Sequence, residues 1–261
     1  IRLSLVGSEM CIRDSHKTMS KGIEIESIDN YNISNNIDEN VAGIAAQAML
    51  KNIDIDFGFK IIINKGIKPG SGIGSSAASS AGTVYAINQL LNSHFDNLDL
   101  VRFSMEGENF VSGSYHADNV APIILGGITL VRSISDLDII KLPSPKSLEV
   151  IIIRPNIEIK TSDSRRVVKK KVKIEKMVQQ SANLGAFISS LYSEDFDLMS
   201  RSVVDEIVEP DRSMLIPEFE SIKKISTESG ALSCGISGSG PSIFALSNNS
   251  ETSKIILNNV C

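Results

Sequence analysis

Apolar and polar residues alternate over 22–29 (GIEIESID), and a period of two predicts a half-buried strand. The period then lengthens. In NVAGIAAQAMLKN (40–52), Val41, Ile44, Ala45, Ala48 and Met49 fall on one helical stripe, which stops at Lys51–Asn52. DFGFKIIINKGI (56–67) is rich in Ile and Phe and reads as a second strand. A small-residue loop follows, and then a helix to about Leu91 whose apolar face carries Val84, Ile87, Leu90 and Leu91. LDLVRFSMEGENFVSG (98–113) is another amphipathic helix, with Glu106 and Glu108 in its latter half. Residues 114–133 read as a polar turn, an apolar segment through Pro122, and a strand ITLVRS after Gly126–Gly127.

The two prolines of KLPSPKS (141–147) mark a domain boundary. Beyond it, LEVIIIRP (148–155) predicts a strand, while SRRVVKKKV, EKMVQQSANLGAFISSLYS and IPEFESIKKISTESG predict helices, the last closed by Gly230. ALSCGISGSGPSIFALS (231–247) reads as strand, glycine turn, strand. The order predicts an α+β fold in two lobes. At the start, IRLSLVGSEMCIRDSH carries no period and resembles a translated sequencing adaptor. Residues 1–17 are therefore expected to be a non-native leader, and Cys261 to be followed by a missing tail.

Composition narrows the function classes. A formal net charge of −5 argues against a nucleic-acid binder, whose footprint is basic. The one dense basic run, Arg165–Arg166 with Lys169–Lys171, is expected to be a solvated helix face. Three widely spaced cysteines show neither a disulfide framework nor zinc-ligand spacing, which suits a cytoplasmic protein. No apolar run approaches the roughly 18–20 residues of a membrane helix.

PGSGIGSSAASSAG (69–82) holds four glycines and five serines just ahead of a helix. Backbone N–H groups without side-chain bulk can converge on an anion, and a helix N-terminus adds about half a positive charge. Taken alone, such a Gly/Ser stretch is more often a capped helix start packed on glycines. It is not a Walker A loop, because no Gly-Lys-Ser/Thr follows, and its alternating glycines fit G-x-G-x-x-G poorly.

PGSGIGSSAAS does resemble the phosphate loop of the GHMP small-molecule kinases, with Ile73 in place of the usual Leu. MEGENFVSGSYHADNVAPIILGG, TSDSRR, VEPDRSMLIPEF and GISGSGPSIFAL resemble further segments of the homoserine kinases of that family. The resemblance covers roughly residues 20 to 257. It implies a two-lobed GHMP kinase fold, with a ribosomal-protein-S5-domain-2-like N-terminal lobe over 18–145 and a ferredoxin-like C-terminal lobe over 146–261. It also implies ATP and Mg²⁺ as cofactors, L-homoserine as substrate, phosphorylation of its side-chain hydroxyl, and a homodimer.

Roles follow by position within the matching motifs. Asn40, Val41 and the loop from Pro69 through Gly70, Ser71, Gly72, Ile73, Gly74, Ser75, Ser76 and Ala77 are implied to bind the nucleotide. Ser76 and Glu108 are implied to ligate Mg²⁺. His116, Asp118, Thr161, Arg165 and Arg212 are implied to bind the amino acid: the acidic Asp118 suits an ammonium, and the arginines suit a carboxylate through bidentate hydrogen bonds. Asn119 stands where other GHMP kinases carry an acidic base. An amide accepts no proton, so Asn119 is expected to orient the nucleophilic hydroxyl, leaving catalysis to positioning and charge stabilisation.

One departure stands out. The AxxANxGxGFD segment expected near the family's N-terminus has no counterpart here, so weak or no turnover is expected from this chain. The alternatives are another GHMP kinase, such as a mevalonate kinase, or a sensor of the same fold that binds without catalysis.

Overall fold

The computed structural model describes residues 12–28, 31, 33–66, 68–157, 159 and 161–260, and for 12–15, 161 and 162 the backbone alone. Its contacts divide the chain into two compact units. The first comprises the chain up to Pro69 together with Gly74–Lys141; the second comprises Gly70–Ile73 and the chain from Leu142 on.

The first unit is organised around β3 (Gly58–Ile63), the central strand of a three-stranded sheet. Phe59, Ile61 and Ile63 alternate onto one face and are fully buried, each worth about 1.5–3 kcal/mol relative to exposure. β2 (Gly22–Ser27) pairs with it in parallel, as a strand–helix–strand crossover through α1 (Val41–Leu50) requires. On its other edge β1 (Ile12–Thr18) runs antiparallel, Lys17 opposite Phe59. The aperiodic leader therefore contributes a strand. Backbone pairing at a sheet edge needs no alternation of side chains, so the sequence carried no signal for it.

α2 (Ser75–Leu90) and α3 (Asn97–Ser112) pack with α1 around a core containing Met49, Val84, Ile87, Leu100 and Val101. The stripe expected on α1 is rotated. Ala42, Gly43, Ala45, Ala46 and Met49 are buried, while Val41, Ile44 and Ala48 are half-buried. Small residues win this face because the neighbouring helices come close: a Cβ added to Gly107 on α3 would stand 2.6 Å from the Val41 carbonyl oxygen. The apolar segment through Pro122 is also a helix, α4 (Val120–Leu125), with the proline in its first turn where a missing N–H costs little. β4 (Ile128–Ser133) and β5 (Asp138–Leu142) form a two-stranded ribbon, of which β5 was not anticipated.

In the second unit, β6 (Glu149–Ile153), β8 (Ile243–Ser247) and β7 (Ser233–Ile236) form an antiparallel sheet with β8 in the middle. Ile151, Cys234, Ile243 and Ala245 share a core with Phe219 of α9 (Phe219–Glu228) and Ile256 of α10 (Ser250–Val260). Between β6 and α9 lie α5 (Thr161–Arg166), α6 (Ile174–Ser193), α7 (Phe196–Ser202) and α8 (Glu209–Arg212). The basic run is exposed, but only its first part is helical. The Lys169 N–H donates to Asp211 Oδ2 at 3.0 Å and its ammonium pairs with Asp211 Oδ1 at 3.1 Å, which takes the chain out of a helix that like charges would in any case disfavour. The fold is α+β, and among the described residues no helix is long and apolar enough to cross a membrane.

Candidate active site

Three glycines of the loop before α2 lie in the left-handed region: Gly70 at φ 73°, Gly72 at 78° and Gly74 at 76°. Gly74 is the N-cap of α2, and no side chain caps the helix there. This glycine-led start is the positive end of a 16-residue helix. Gly70–Ile73 pack with the second unit, whereas Pro69 and Gly74–Ala77 pack with the first.

Around the start of α2, the first unit gathers a small charged cluster. Glu108, on the penultimate turn of α3, is only 7% exposed, and its Oε1 accepts no hydrogen bond among the described residues. Burial pushes its carboxyl above the usual range. The neighbouring Ser76 hydroxyl pulls it back, the charge of Asp118 raises it again, and that of Lys65 lowers it. Lys65, buried just beyond β3, places its ammonium 3.2 Å from both the carbonyl oxygen and the hydroxyl of Ser75. It is a site residue that sequence reasoning missed. A lysine closing an apolar strand is ordinary, and only the fold turns this one inward.

These residues fit a magnesium ion. Mg²⁺ is a hard cation that is bound through one or two carboxylates plus substrate phosphates and keeps several waters. A buried carboxylate with an orphaned oxygen beside a hydroxyl offers it that coordination, and the cation would offset the charge that burial makes costly. Among the described residues there is no group of three or more His, Cys, Asp or Glu that could hold a metal.

Asn119 stands at the N-cap of α4 without capping it; its backbone N–H is taken by Asp118 Oδ1 at 3.0 Å. Its exposed side chain lies over Gly74, whose added Cβ would sit 3.5 Å from Asn119 Oδ1. The amide is thus beside the end of the glycine loop, with no capping duty. His116 Nε2 hydrogen-bonds Ser114 Oγ at 2.8 Å, and Asp118 is exposed. Asn40 is committed to the fold: its Oδ1 accepts from the Ala42 N–H at 2.9 Å, capping α1, and its Nδ2 donates to the Ser34 carbonyl at 2.7 Å. Val41, half-buried, accepts from Ser80 Oγ through its carbonyl at 3.5 Å.

The second unit holds the arginines. Arg212, at the end of α8, donates from Nη1 to the Gly238 carbonyl at 2.8 Å and from Nε to the Ser164 carbonyl at 3.3 Å. Burial lowers its pKa, the charge of Asp205 raises it and that of Arg165 lowers it; Arg165 follows directly on the Ser164 whose carbonyl Arg212 holds. Such a pair is suited to a carboxylate. Thr161 begins α5, but its side chain lies outside the described residues. The β7–β8 turn reaches the glycine loop: Ser237 Oγ donates to the Gly72 carbonyl at 3.0 Å, and the Ser242 N–H to the Ser71 carbonyl at 3.2 Å.

Residues 40–127 match the family pattern described as GHMP kinases N terminal domain, and residues 187–261 that described as GHMP kinases C terminal. The chain is 42% identical over 206 residues to the homoserine kinase of Chlorobaculum tepidum, covering 79% of this chain and 64% of that protein. It is 39% identical over 225 residues to the homoserine kinase of Methanococcus maripaludis, covering 86% of this chain and 74% of that one. It thus spans slightly under two thirds of the length of the first of these curated relatives. The crystal structure of homoserine kinase from Cytophaga hutchinsonii superposes with a TM-score of 0.91 at 43% identity, covering 94% of this chain and 79% of that one. An L. major mevalonate kinase shares the fold at 17% identity and a TM-score of 0.71, over 94% of this chain and 80% of that one. By the two family patterns and by these relatives, the chain belongs to the homoserine kinases of the GHMP kinase family.

Proposed function

We propose that this protein transfers the terminal phosphoryl group of ATP to the side-chain hydroxyl of L-homoserine. The observation that carries the reading is the cluster at the start of α2: an uncapped helix N-terminus behind left-handed glycines, with Ser76, Lys65 and the buried Glu108 beside it. The names of the relatives supply the acceptor; the cluster supplies the reason a phosphate and a cation belong here.

In this reading the backbone amides of Gly72–Ala77 receive the phosphates, Asn40 and Val41 flank the nucleotide, and Ser76 and Glu108 hold Mg²⁺. Bound there, Mg²⁺ neutralises phosphate charge and favours the leaving group. Lys65 keeps Glu108 nearer its ionised state and adds positive charge. Arg165 and Arg212 take the substrate carboxylate, Asp118 its ammonium, and His116 and Thr161 add contacts to the amino acid. Asn119 orients the hydroxyl. No side chain need remove its proton before transfer, because a loose transition state asks little nucleophilic push; as the new P–O bond forms, the proton passes to an oxygen of the transferred phosphoryl group. The homodimer belongs to the same proposal and is checked by light scattering on the eluting peak.

ADP release in the presence of homoserine, mevalonate or galactose tests the assignment. Homoserine alone is expected to stimulate it, and the ratio between acceptors is informative even if turnover is slow. Release that responds to mevalonate or galactose in preference to homoserine would refute the assignment. Asn119→Ala is expected to lower kcat by about 10²-fold, the order lost when a reacting group is misplaced by about an ångström; an unchanged kcat would remove Asn119 from the mechanism.

A further inference from the structure

The turn between β7 and β8 is gripped from two sides. On one side, its Ser237 hydroxyl donates to the Gly72 carbonyl at 3.0 Å, and its Ser242 N–H donates to the Ser71 carbonyl at 3.2 Å. On the other, its carbonyls accept from the arginine region: Gly238 from Arg212 Nη1 at 2.8 Å, and Ser239 from Ser164 Oγ at 2.7 Å. Ser164 is fully buried on α5, one residue before Arg165, and its own carbonyl accepts from Arg212 Nε at 3.3 Å. All of these residues belong to the second unit.

The first pair of bonds sets the direction of the glycine loop's amides. In a trans peptide the C=O and the following N–H point opposite ways. Holding the Ser71 and Gly72 carbonyls against the turn therefore aims the N–H groups of Gly72 and Ile73 away from it, side by side, as an anion nest requires. Gly72, at φ 78°, would otherwise range over many conformations. Close packing reinforces the register, since a Cβ on Gly72 would stand 2.6 Å from the Gly240 carbonyl carbon. The second pair fixes the guanidinium of Arg212 to the same turn.

We propose that the Ser237–Ser242 turn couples the anion-binding amides of Gly72–Ile73 to the Arg165–Arg212 pair, with Ser237 and Ser164 as its positioning residues. This rests on the kinase reading above. A phosphate that orders the loop orders the turn with it, and a carboxylate on Arg212 then meets a guanidinium already held. Such coupling is reciprocal: each ligand tightens the other by the same factor.

Direct titration of the whole chain tests this without turnover. Homoserine is titrated calorimetrically in the absence and presence of Mg²⁺ and a non-hydrolysable ATP analogue. The wild-type chain is expected to bind homoserine about fivefold more tightly with the nucleotide present, roughly what one net hydrogen bond is worth. Ser237→Ala and Ser164→Ala are each expected to bring that factor close to one, and Ser237→Thr, which keeps the hydroxyl, to restore it. A merely structural loss would lower the melting temperature and both affinities without touching the factor, so melting curves are recorded in parallel. Wild-type binding of both ligands with a factor of one, or an undiminished factor in Ser237→Ala, overturns the coupling while leaving the kinase reading intact. Failure of the wild-type chain to bind either ligand overturns the kinase reading, and the coupling with it.

Discussion

Replacing Glu108 by Gln is expected to make the unliganded protein more stable while depriving it of its cation. The carboxyl is 7% exposed and one of its oxygens accepts no hydrogen bond among the described residues. Its pKa lies above the usual value, chiefly through burial, so the folded state holds this proton at pH values where the unfolded chain has already released it. Stability from this group therefore falls as pH rises from the ordinary carboxyl range to the raised value, above which the whole penalty is present. A buried, unsatisfied polar group costs about 1–3 kcal/mol, and a neutral amide of the same shape removes the charged part of that cost. Near the melting temperature of a chain this long, each kcal/mol moves the midpoint by about 2–4 °C. Glu108→Gln should therefore melt a few degrees above wild type at pH 7.5, and the gap should close as pH falls toward 4.5. Mg²⁺ with an ATP analogue should reverse the order by stabilising the wild type more. Scanning calorimetry at the two pH values, with and without ligand, reads all three effects. A variant that melts at or below wild type at pH 7.5 without ligand, or a gap that does not depend on pH, refutes the reasoning.

Three further perturbations separate the remaining contributions. Gly72→Ala combines a left-handed backbone with contact against Gly240, whereas Gly113→Ala at φ 70° meets nothing within 4 Å; urea unfolding should show a loss of about 1–2 kcal/mol for Gly113 and distinctly more for Gly72. Asn40→Ala removes the cap of α1 and the Ser34 contact, so a loss of about 0.5–2 kcal/mol is expected in the same assay, and a neutral result would mean that the cap carries no weight. Lys65→Met withdraws a charge that lowers the Glu108 pKa, so the acid limb of the rate profile should move to higher pH; an unmoved limb would separate Lys65 from Glu108.

Much of the molecule was legible in its periodicities. The alternation in GIEIESID and the Ile-rich run after it became β2 and β3; the helix expected to run to about Leu91 became α2, which ends at Leu90, and the amphipathic stretch at 98–113 became α3 within a residue at each end. Elements set by context were less visible. β1 is held by edge pairing and α4 is short, while the helix expected through Lys169–Lys171 gives way to a carboxylate, Asp211, from 42 residues downstream. At the site, glycine spacing announced the loop, but nothing local distinguished Lys65 from a surface lysine or Ser237 from a turn serine.

By itself, the sequence determined where the chain can turn left-handed, where it can be helical or extended, and which chemical groups it carries near those points. Those properties are local: glycine tolerates positive φ, and apolar spacing selects a period. Tertiary structure alone decided what each group experiences. It removed water from Glu108 and set Lys65 and Asp118 within reach of its charge. It spent the amide of Asn40 on a helix cap, left that of Asn119 over Gly74, and aimed the amides of Gly72 and Ile73 by fastening the carbonyls behind them. Burial, field and orientation are sums over neighbours distant in the chain, and those neighbours exist only once it has folded.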